Sequence, residues 1–472
     1  MEHVNTWKKY KAADLKKLDA VCESYKEFIS KCKTERECVD YVVNAAEAAG
    51  YRELESLIAA GKKVKAGDKV YSVMMNKSIV LFQLGKKPLD EGMNILGAHL
   101  DSPRMDIKSN PLYEAGEMAY LDTHYYGGIK KYQWVTLPLA LHGVIVKKDG
   151  TTEEICIGED EDDPVFFVSD LLIHLSQDQL EKKGAKVVEG EALDIIVGHR
   201  PLQITKGKKD EEKDPAKDAV KAGVLDILKK QYGIEEEDFL SAEIEVVPAG
   251  KARDAGFDRS LVLGYGQDDR VCAFTSLQAM LDLPKTLDRT VCCILVDKEE
   301  IGSVGATGMQ SQFFANAVAE LLNLTGDFSE LKLRRTLARS AMLSSDVSAG
   351  YDPLYDGVFE KKNAAYMGGG MVFNKYTGSR GKSGSNDANA EYIAHIRSVL
   401  DADEINYQFA ELGKVDQGGG GTIAYILALY GMNVIDAGIA VLNMHAPWEA
   451  TSKADIYETY RGYVSFAKGV TI

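Results

Sequence analysis

Five apolar runs in this 472-residue chain end in residues that bind metals or move protons. His99 and Asp101 follow "MNILGA", Asp268 and Asp269 follow "LVLGYGQ", and Glu299 and Glu300 follow "VCCILVDK". Asp346 follows "AMLSS", and His445 follows "IAVLNM". In an extended segment residues two apart share a side, so the Asp101 carboxylate can fix the tautomer of a metal-bound His99. Any one case has a plainer reading, because polar residues favour strand ends and Ser102-Pro103 is turn chemistry. Five cases together imply a shared site.

Imidazole and carboxylate oxygen suit zinc or manganese, and no thiolate is offered. Two histidines and three acidic ligands suffice for two divalent ions roughly 3.5–4 Å apart, sharing a bridging carboxylate. Zinc is the first expectation, with manganese or cobalt as alternatives. Glu299 and Glu300 allow a division of labour in which one ligates metal and the other handles a proton. Asp269 reads as a turn or helix N-cap residue.

These residues need a frame. Residues 12–49 read as helical, with Gly50 as the stop. "KSIVLFQL" and "MNILGAHLD" read as strands. From 261 onward strands alternate with helices. "RVCAFTSLQAMLDL", "MQSQFFANAVAELLNL" and "GTIAYILALYG" are the helical runs, and "SAMLSSD" and "NVIDAGIAVLNMH" are strands. That alternation predicts an α/β fold with a mostly parallel central sheet covered by helices. Ligands of such sheets bind at the carboxyl ends of the strands, where the residues above fall. Positions 106–254 have another texture, with strands such as "LALHGVIVKKDG", a helical "SDLLIHLSQDQLEKKG" and a charge-rich "KGKKDEEKDPAKDA" that reads as a solvated loop. The expectation is one domain from 1–105 and 255–472, interrupted by a strand-rich domain at 106–254.

Composition excludes several classes. Lys+Arg is 56 against Asp+Glu 72, a net charge of -16, which argues against nucleic acid and anionic membrane as partners. No uncharged apolar run is long enough to span a bilayer, and the first residues have no apolar core of a secretory signal. Seven cysteines, none in Cys-x-x-Cys, point to a reduced, cytoplasmic protein.

The set "GAHLDSPR", "GQDDR", "DKEEIGSVGATG", "SSDVSAGYDP" and "NMHAPWE" resembles the M18 metallo-aminopeptidases, the aspartyl aminopeptidase family. The resemblance runs in order over nearly the whole chain and includes "DQGGGGTIAYILALYGMNVIDAG". It implies a zinc-peptidase domain with an inserted dimerisation domain, and dimers built into a closed tetrahedral dodecamer that admits short or unfolded peptides. Residue by residue, it implies that His99 ligates metal and Asp101 orients it. Asp268 bridges two ions, Glu299 is the general base, and Glu300, Asp346 and His445 complete the ligands.

The family name implies acidic first residues, Asp or Glu, and burying a carboxylate requires a cation. Lys375 is the candidate, with Arg380 and Lys382 behind it in a loop otherwise read as solvated. If Phe373 takes that place instead, the pocket is apolar and neutral residues such as Leu are preferred. Eukaryotic relatives have Pro-His-Leu where this chain reads Ser169-Asp170-Leu171, which puts subunit-shared catalysis and acidic preference in question. "DQGGGGT" could present N–H groups to substrate or simply make a tight loop. His142 and His174 read as core or interface residues. The rival reading from another class is a non-catalytic, self-assembling scaffold on a decayed peptidase fold, against which the intact ligand set and Glu299 speak. A different two-metal amidohydrolase is the nearer rival.

Overall fold

The computed structural model describes residues 4–202 and 218–471. Most of the charge-rich segment therefore lies outside the described residues. The chain forms two compact units: Met1–Ser102 with Ala252–Met444 and Trp448–Ile472, and Pro103–Lys251 with His445–Pro447.

The first unit is built on a nine-stranded sheet. Its order is Arg52–Glu53, Lys69–Met74, Ser78–Gln83, Thr290–Val296, Met93–His99, Ala341–Ser344, Asn433–Gly438, Met371–Asn374 and Tyr407–Phe409. The four strands from Thr290–Val296 to Asn433–Gly438 are parallel neighbours. On either side the pairing turns antiparallel, at Ser78–Gln83 and at Met371–Asn374. Every residue of Met93–His99 and Thr290–Val296 is buried. Ile95 and Ile294 pack with the helix Phe313–Thr325, whereas Leu96 and Leu343 pack with Tyr463 and Phe466 of the helix Lys453–Gly469. Helices on both faces explain why these strands are near-continuous apolar runs rather than alternating ones.

Three sequence readings need correction. The helical stretch 12–49 is two helices, Ala12–Lys31 and Glu35–Ala48. Thr34 caps the second: its hydroxyl accepts from Glu37 N, and the Glu37 carboxylate accepts from Thr34 N. "TERE" is a capping box, a start signal that periodicity alone overlooks.

"NVIDAGIAVLNMH" is two strands in two sheets. Asn433–Gly438 lies in the large sheet. Ala440–Leu442 belongs to a five-stranded sheet with Ser348–Ala349, Glu449–Ser452, Leu261–Gly264 and Arg253–Ala255. So Asp268 arrives from the end of a strand in this smaller sheet, paired antiparallel to Glu449–Ser452. The large sheet itself supplies only the strand ends that lead to His99, Glu299 and Asp346.

The second unit carries a six-stranded antiparallel sheet in the order Thr152–Ile157, Leu139–Val146, Ala242–Pro248, Arg104–Ala115, Met118–Tyr126 and Ile195–Gly198. The helix expected at 169–184 is reduced to a 3-10 turn, Ile173–Leu175, and one α-turn, Gln177–Leu180. Leu171, Leu172, Ile173, Leu175 and Leu180 are exposed. A short helix without a buried apolar face has little to hold it.

Candidate active site

His99 ends its strand fully inside the protein, 1% exposed. Its Nδ1 is 2.9 Å from the Asp101 carbonyl oxygen and 3.3 Å from Asp101 Oδ1. Its Nε2 faces Asp268 Oδ1 at 3.3 Å and Glu299 Oε2 at 3.8 Å. In the neutral ring, an Nδ1 that donates would leave Nε2 as the lone-pair nitrogen on the side of the acidic groups.

Asp101 is buried and uses both carboxylate oxygens. Oδ1 accepts from Glu299 N and Oδ2 from Glu300 N, each at 3.1 Å. The local chain makes this possible. The strand Thr290–Val296 stops, Lys298 turns into the left-handed region at φ 69°, and a 3-10 turn, Glu299–Ile301, begins. That turn presents two successive N–H groups at its open end, where an anion is favoured.

Asp268 is clamped through its main chain. Its N–H donates to Glu449 Oε2 at 3.1 Å, and its carbonyl accepts from Ser102 Oγ at 2.7 Å. Both Glu449 and Ser102 are buried. Neither was singled out from sequence, although "NMHAPWE" and "GAHLDSPR" contain them. Asp268 and Asp269 have non-helical backbone at the head of Gln267–Leu281, so Asp269 stands where the regular helix begins. It is also fully buried, and its Oδ2 accepts from His99 N at 3.3 Å.

Two sets of ligand-type atoms lie within 4.8 Å of one another in the first unit: His99 with Glu299 and Glu300, and His99 with Asp269 and Asp346. Burial would lower the pKa of His99, but its bonds to Asp101 and Asp268 outweigh this and hold it well above the ordinary value. Burial, followed by the charge of Asp269, drives Asp346 well above the carboxylate range. Burial also drives Asp269 up, against His99 and with Asp268. Mutually repelling buried carboxylates around an imidazole are a donor set that a divalent cation would relieve. Asp269 Oδ1 is buried with no hydrogen-bond partner among the described residues, in keeping with that fit.

His445 groups with the second unit. Its Nδ1 lies 2.8 Å from the Gly128 carbonyl oxygen, which again leaves Nε2 as the lone-pair nitrogen. Lys375 is not brought to this group. It follows Met371–Asn374, which runs antiparallel to Asn433–Gly438 with Val372 opposite Gly438. Gly438 is the residue against Asp346, since a Cβ there would meet the Asp346 carbonyl. Lys375 is three residues farther from that end, about 10 Å of extended chain, and is exposed. Phe373 is core, stacked on Phe409 with ring centres 5.4 Å apart.

A model of the family described as aminopeptidase I zinc metalloprotease (M18) matches residues 28–467. A probable M18 family aminopeptidase 1 of Clostridium acetobutylicum is 61% identical over 98% of each chain. The solved aminopeptidase I from the same species is 59% identical with a TM-score of 0.90, covering 99% of both chains. The solved M18 aminopeptidase of Thermotoga maritima is 44% identical with a TM-score of 0.92, covering 100% of both.

Proposed function

The chain belongs to the M18 family of zinc metallo-aminopeptidases, and from that premise we propose how its residues remove the first residue of a peptide. The reading has two divalent ions, zinc in the first place, held by His99, Asp268, Glu300, Asp346 and His445. Asp268 would serve both ions. A divalent pair supplies Lewis acidity to the scissile carbonyl and acidifies water. Glu299 takes the proton from the attacking water and returns it to the leaving amine. Asp101 holds His99 and the Glu299–Glu300 turn in one geometry. The surplus carboxylate charge suits a free α-ammonium group, the mark of an exopeptidase substrate.

The observation that carries this reading is Asp101, whose carboxylate accepts from both glutamate N–H groups while it meets His99. The test is a panel of free and N-blocked peptides with metal content measured alongside. Turnover of free peptides alone, in metal-loaded protein, supports an aminopeptidase. Equal turnover of blocked peptides would move the chain to another amidohydrolase activity, and absence of both metal and turnover to a scaffold.

One observation bears on specificity. The position of Lys375 favours a neutral first residue, such as Leu, over Asp or Glu. For assembly we infer a homo-oligomer, with the exposed apolar segment 165–180 as contact surface and a dodecamer as the closed form. All seven cysteines are unpaired, which supports a reducing compartment such as the cytoplasm. No helix of the described residues is long and apolar enough to cross a membrane.

A further inference from the structure

We propose that Thr307, through the buried carboxylate of Asp297, is a positioning residue for the Glu299–Glu300 turn. The catalytic half of this inference rests on Glu299 as the general base. Both residues lie in "DKEEIGSVGATG", and neither has a role in the reading above.

Asp297 follows the strand Thr290–Val296 and is 1% exposed. Both of its oxygens are engaged. Oδ1 accepts from Lys298 N at 2.7 Å, and Oδ2 accepts from Thr307 Oγ1 at 2.6 Å. The Lys298 ammonium lies 3.2 Å from the same Oδ2. Three successive N–H groups, those of Lys298, Glu299 and Glu300, thus each donate to a buried carboxylate. The first goes to Asp297 and the other two to Asp101. Asp101 holds the turn from the end of the neighbouring strand, Met93–His99, and Asp297 holds it from its own loop. The turn needs holding, because Lys298 has φ 69°, a conformation that a residue with a Cβ adopts only at a cost.

Thr307 can serve as an anchor because its own main chain is fixed. Its carbonyl accepts from Asp297 N at 3.2 Å and from Ser78 Oγ. Ser78 Oγ in turn accepts from Asp297 N at 3.2 Å. Ser78 is buried and begins the strand Ser78–Gln83, which pairs with Thr290–Val296 in the large sheet. The loop between Asp297 and Thr307 closes on itself through main-chain bonds, with Ser303 N donating to Lys298 O at 2.6 Å. These closures do not involve the Thr307 hydroxyl, whose hydrogen-bond partner among the described residues is Asp297. Removing that hydroxyl therefore leaves the loop shut and acts on the Asp297 carboxylate alone. With one donor gone, the carboxylate turns toward the Lys298 ammonium and loosens its grip on Lys298 N. Glu299 is the next residue. A base must stay within hydrogen-bond reach of the proton it takes, and a shift of about 1 Å is enough to slow turnover.

The experiment compares wild type, Thr307→Val, Thr307→Ser, Glu299→Gln and the double variant Thr307→Val with Glu299→Gln on a Leu-terminated tripeptide. Rates are expressed per folded, zinc-loaded chain, and hydrogen exchange is followed over 297–303. Thr307→Val should lower kcat roughly tenfold, the lower end of the worth of a hydrogen bond to a charged group, with KM within about twofold of wild type. Thr307→Ser, which keeps the hydroxyl, should restore kcat to within about threefold. On the Glu299→Gln background, Thr307→Val should cost no more than about twofold, because a residue that acts through the base loses its effect with the base. Exchange over 297–303 should quicken in Thr307→Val and not in Thr307→Ser. Unchanged kcat in Thr307→Val, equal losses in the Val and Ser variants, or the full loss repeated on Glu299→Gln each overturns the proposal. If Thr307→Val does not fold, Thr307→Ala replaces it with the same expectation. Near-normal kcat in Glu299→Gln overturns the general-base reading and the catalytic half with it. Exchange over 297–303 then still decides whether Thr307 and Asp297 hold the turn.

Discussion

Asp101 accepts from the N–H groups of Glu299 and Glu300 with one oxygen each. Asn in that place keeps one acceptor and sets an NH2 donor against the other N–H. Asp101→Asn should therefore disturb His99 and the glutamate turn together. Metal affinity should fall about 10–100-fold, the usual cost of losing a group that orients a ligand. Zinc titration against a chromogenic chelator measures it, and unchanged affinity would return Asp101 to a plain turn residue. Glu299→Gln separates the roles. It keeps the shape but cannot take a proton, so kcat should drop by roughly 10²–10⁴ with zinc retained. Near-normal kcat with zinc in place would give the base to another residue. Asp436 makes a pH prediction. Its pKa is raised from an ordinary 3.8 to about 6, so the fold prefers the neutral carboxyl. That preference is fully present below about pH 4 and is lost as pH rises through about 6. Above pH 6 the penalty is at most about 3 kcal/mol. Asp436→Asn, which cannot ionise, should be more stable than wild type in urea at about pH 8 and equal at about pH 4. Equal midpoints at both would mean that the carboxylate is solvated.

At the scale of elements, the antiparallel sense of Met371–Asn374 sets where Lys375 falls. A parallel strand there would have delivered Lys375 to the row of His99 and Asp346; the antiparallel one carries it away. Lys375→Ala should leave kcat/KM for Leu-, Asp- and Glu-terminated peptides within about twofold of wild type, as surface substitutions usually do, with Leu the best substrate. Loss of Asp and Glu cleavage alone would restore the acidic pocket. Strand direction is invisible to periodicity, so the place of Lys375 relative to that row could not be read from the sequence. The strands that lead to His99, Glu299 and Asp346 were legible because strands buried on both faces are unbroken apolar runs, and their ends are marked by the first charged residue. Three features escaped the same reading. "LVLG" and "IAVL" have that texture yet belong to the smaller sheet, since a short apolar run does not say which sheet it joins. Asp269 looked like a cap because it precedes a helix. Its role depends on the His99 N–H, 170 positions away in sequence. Ser102 and Glu449 escaped because they act on the main chain of Asp268, a contact with no sequence pattern.

At the scale of the molecule, the second unit bears the clearest sign of self-association. Ile173 and Leu175 are 67% and 68% exposed, and Leu171, Leu172 and Leu180 accompany them in one segment. The segment has a helical pattern but forms only short turns. An apolar face of this kind gains most by meeting another copy, because a twofold contact buries it twice over. The net charge of -16 works the other way, since like-charged chains repel until short-range apolar contact takes over. Association should therefore strengthen as salt screens the repulsion, the reverse of an interface held by ion pairs. Ile173→Asp with Leu175→Asp adds buried charge to the contact but costs a lone chain little, since both side chains are already in water. Light scattering on wild type should give the mass of a dodecamer at micromolar concentration. The double variant should give dimers or monomers with an unchanged circular dichroism spectrum. Its turnover of a dipeptide then decides what assembly is for. If activity on the dipeptide survives while intact unfolded proteins become substrates, the closed shell is a size filter. If the dodecamer persists in the double variant, the segment 165–180 is not the contact, and another face of the chain must be.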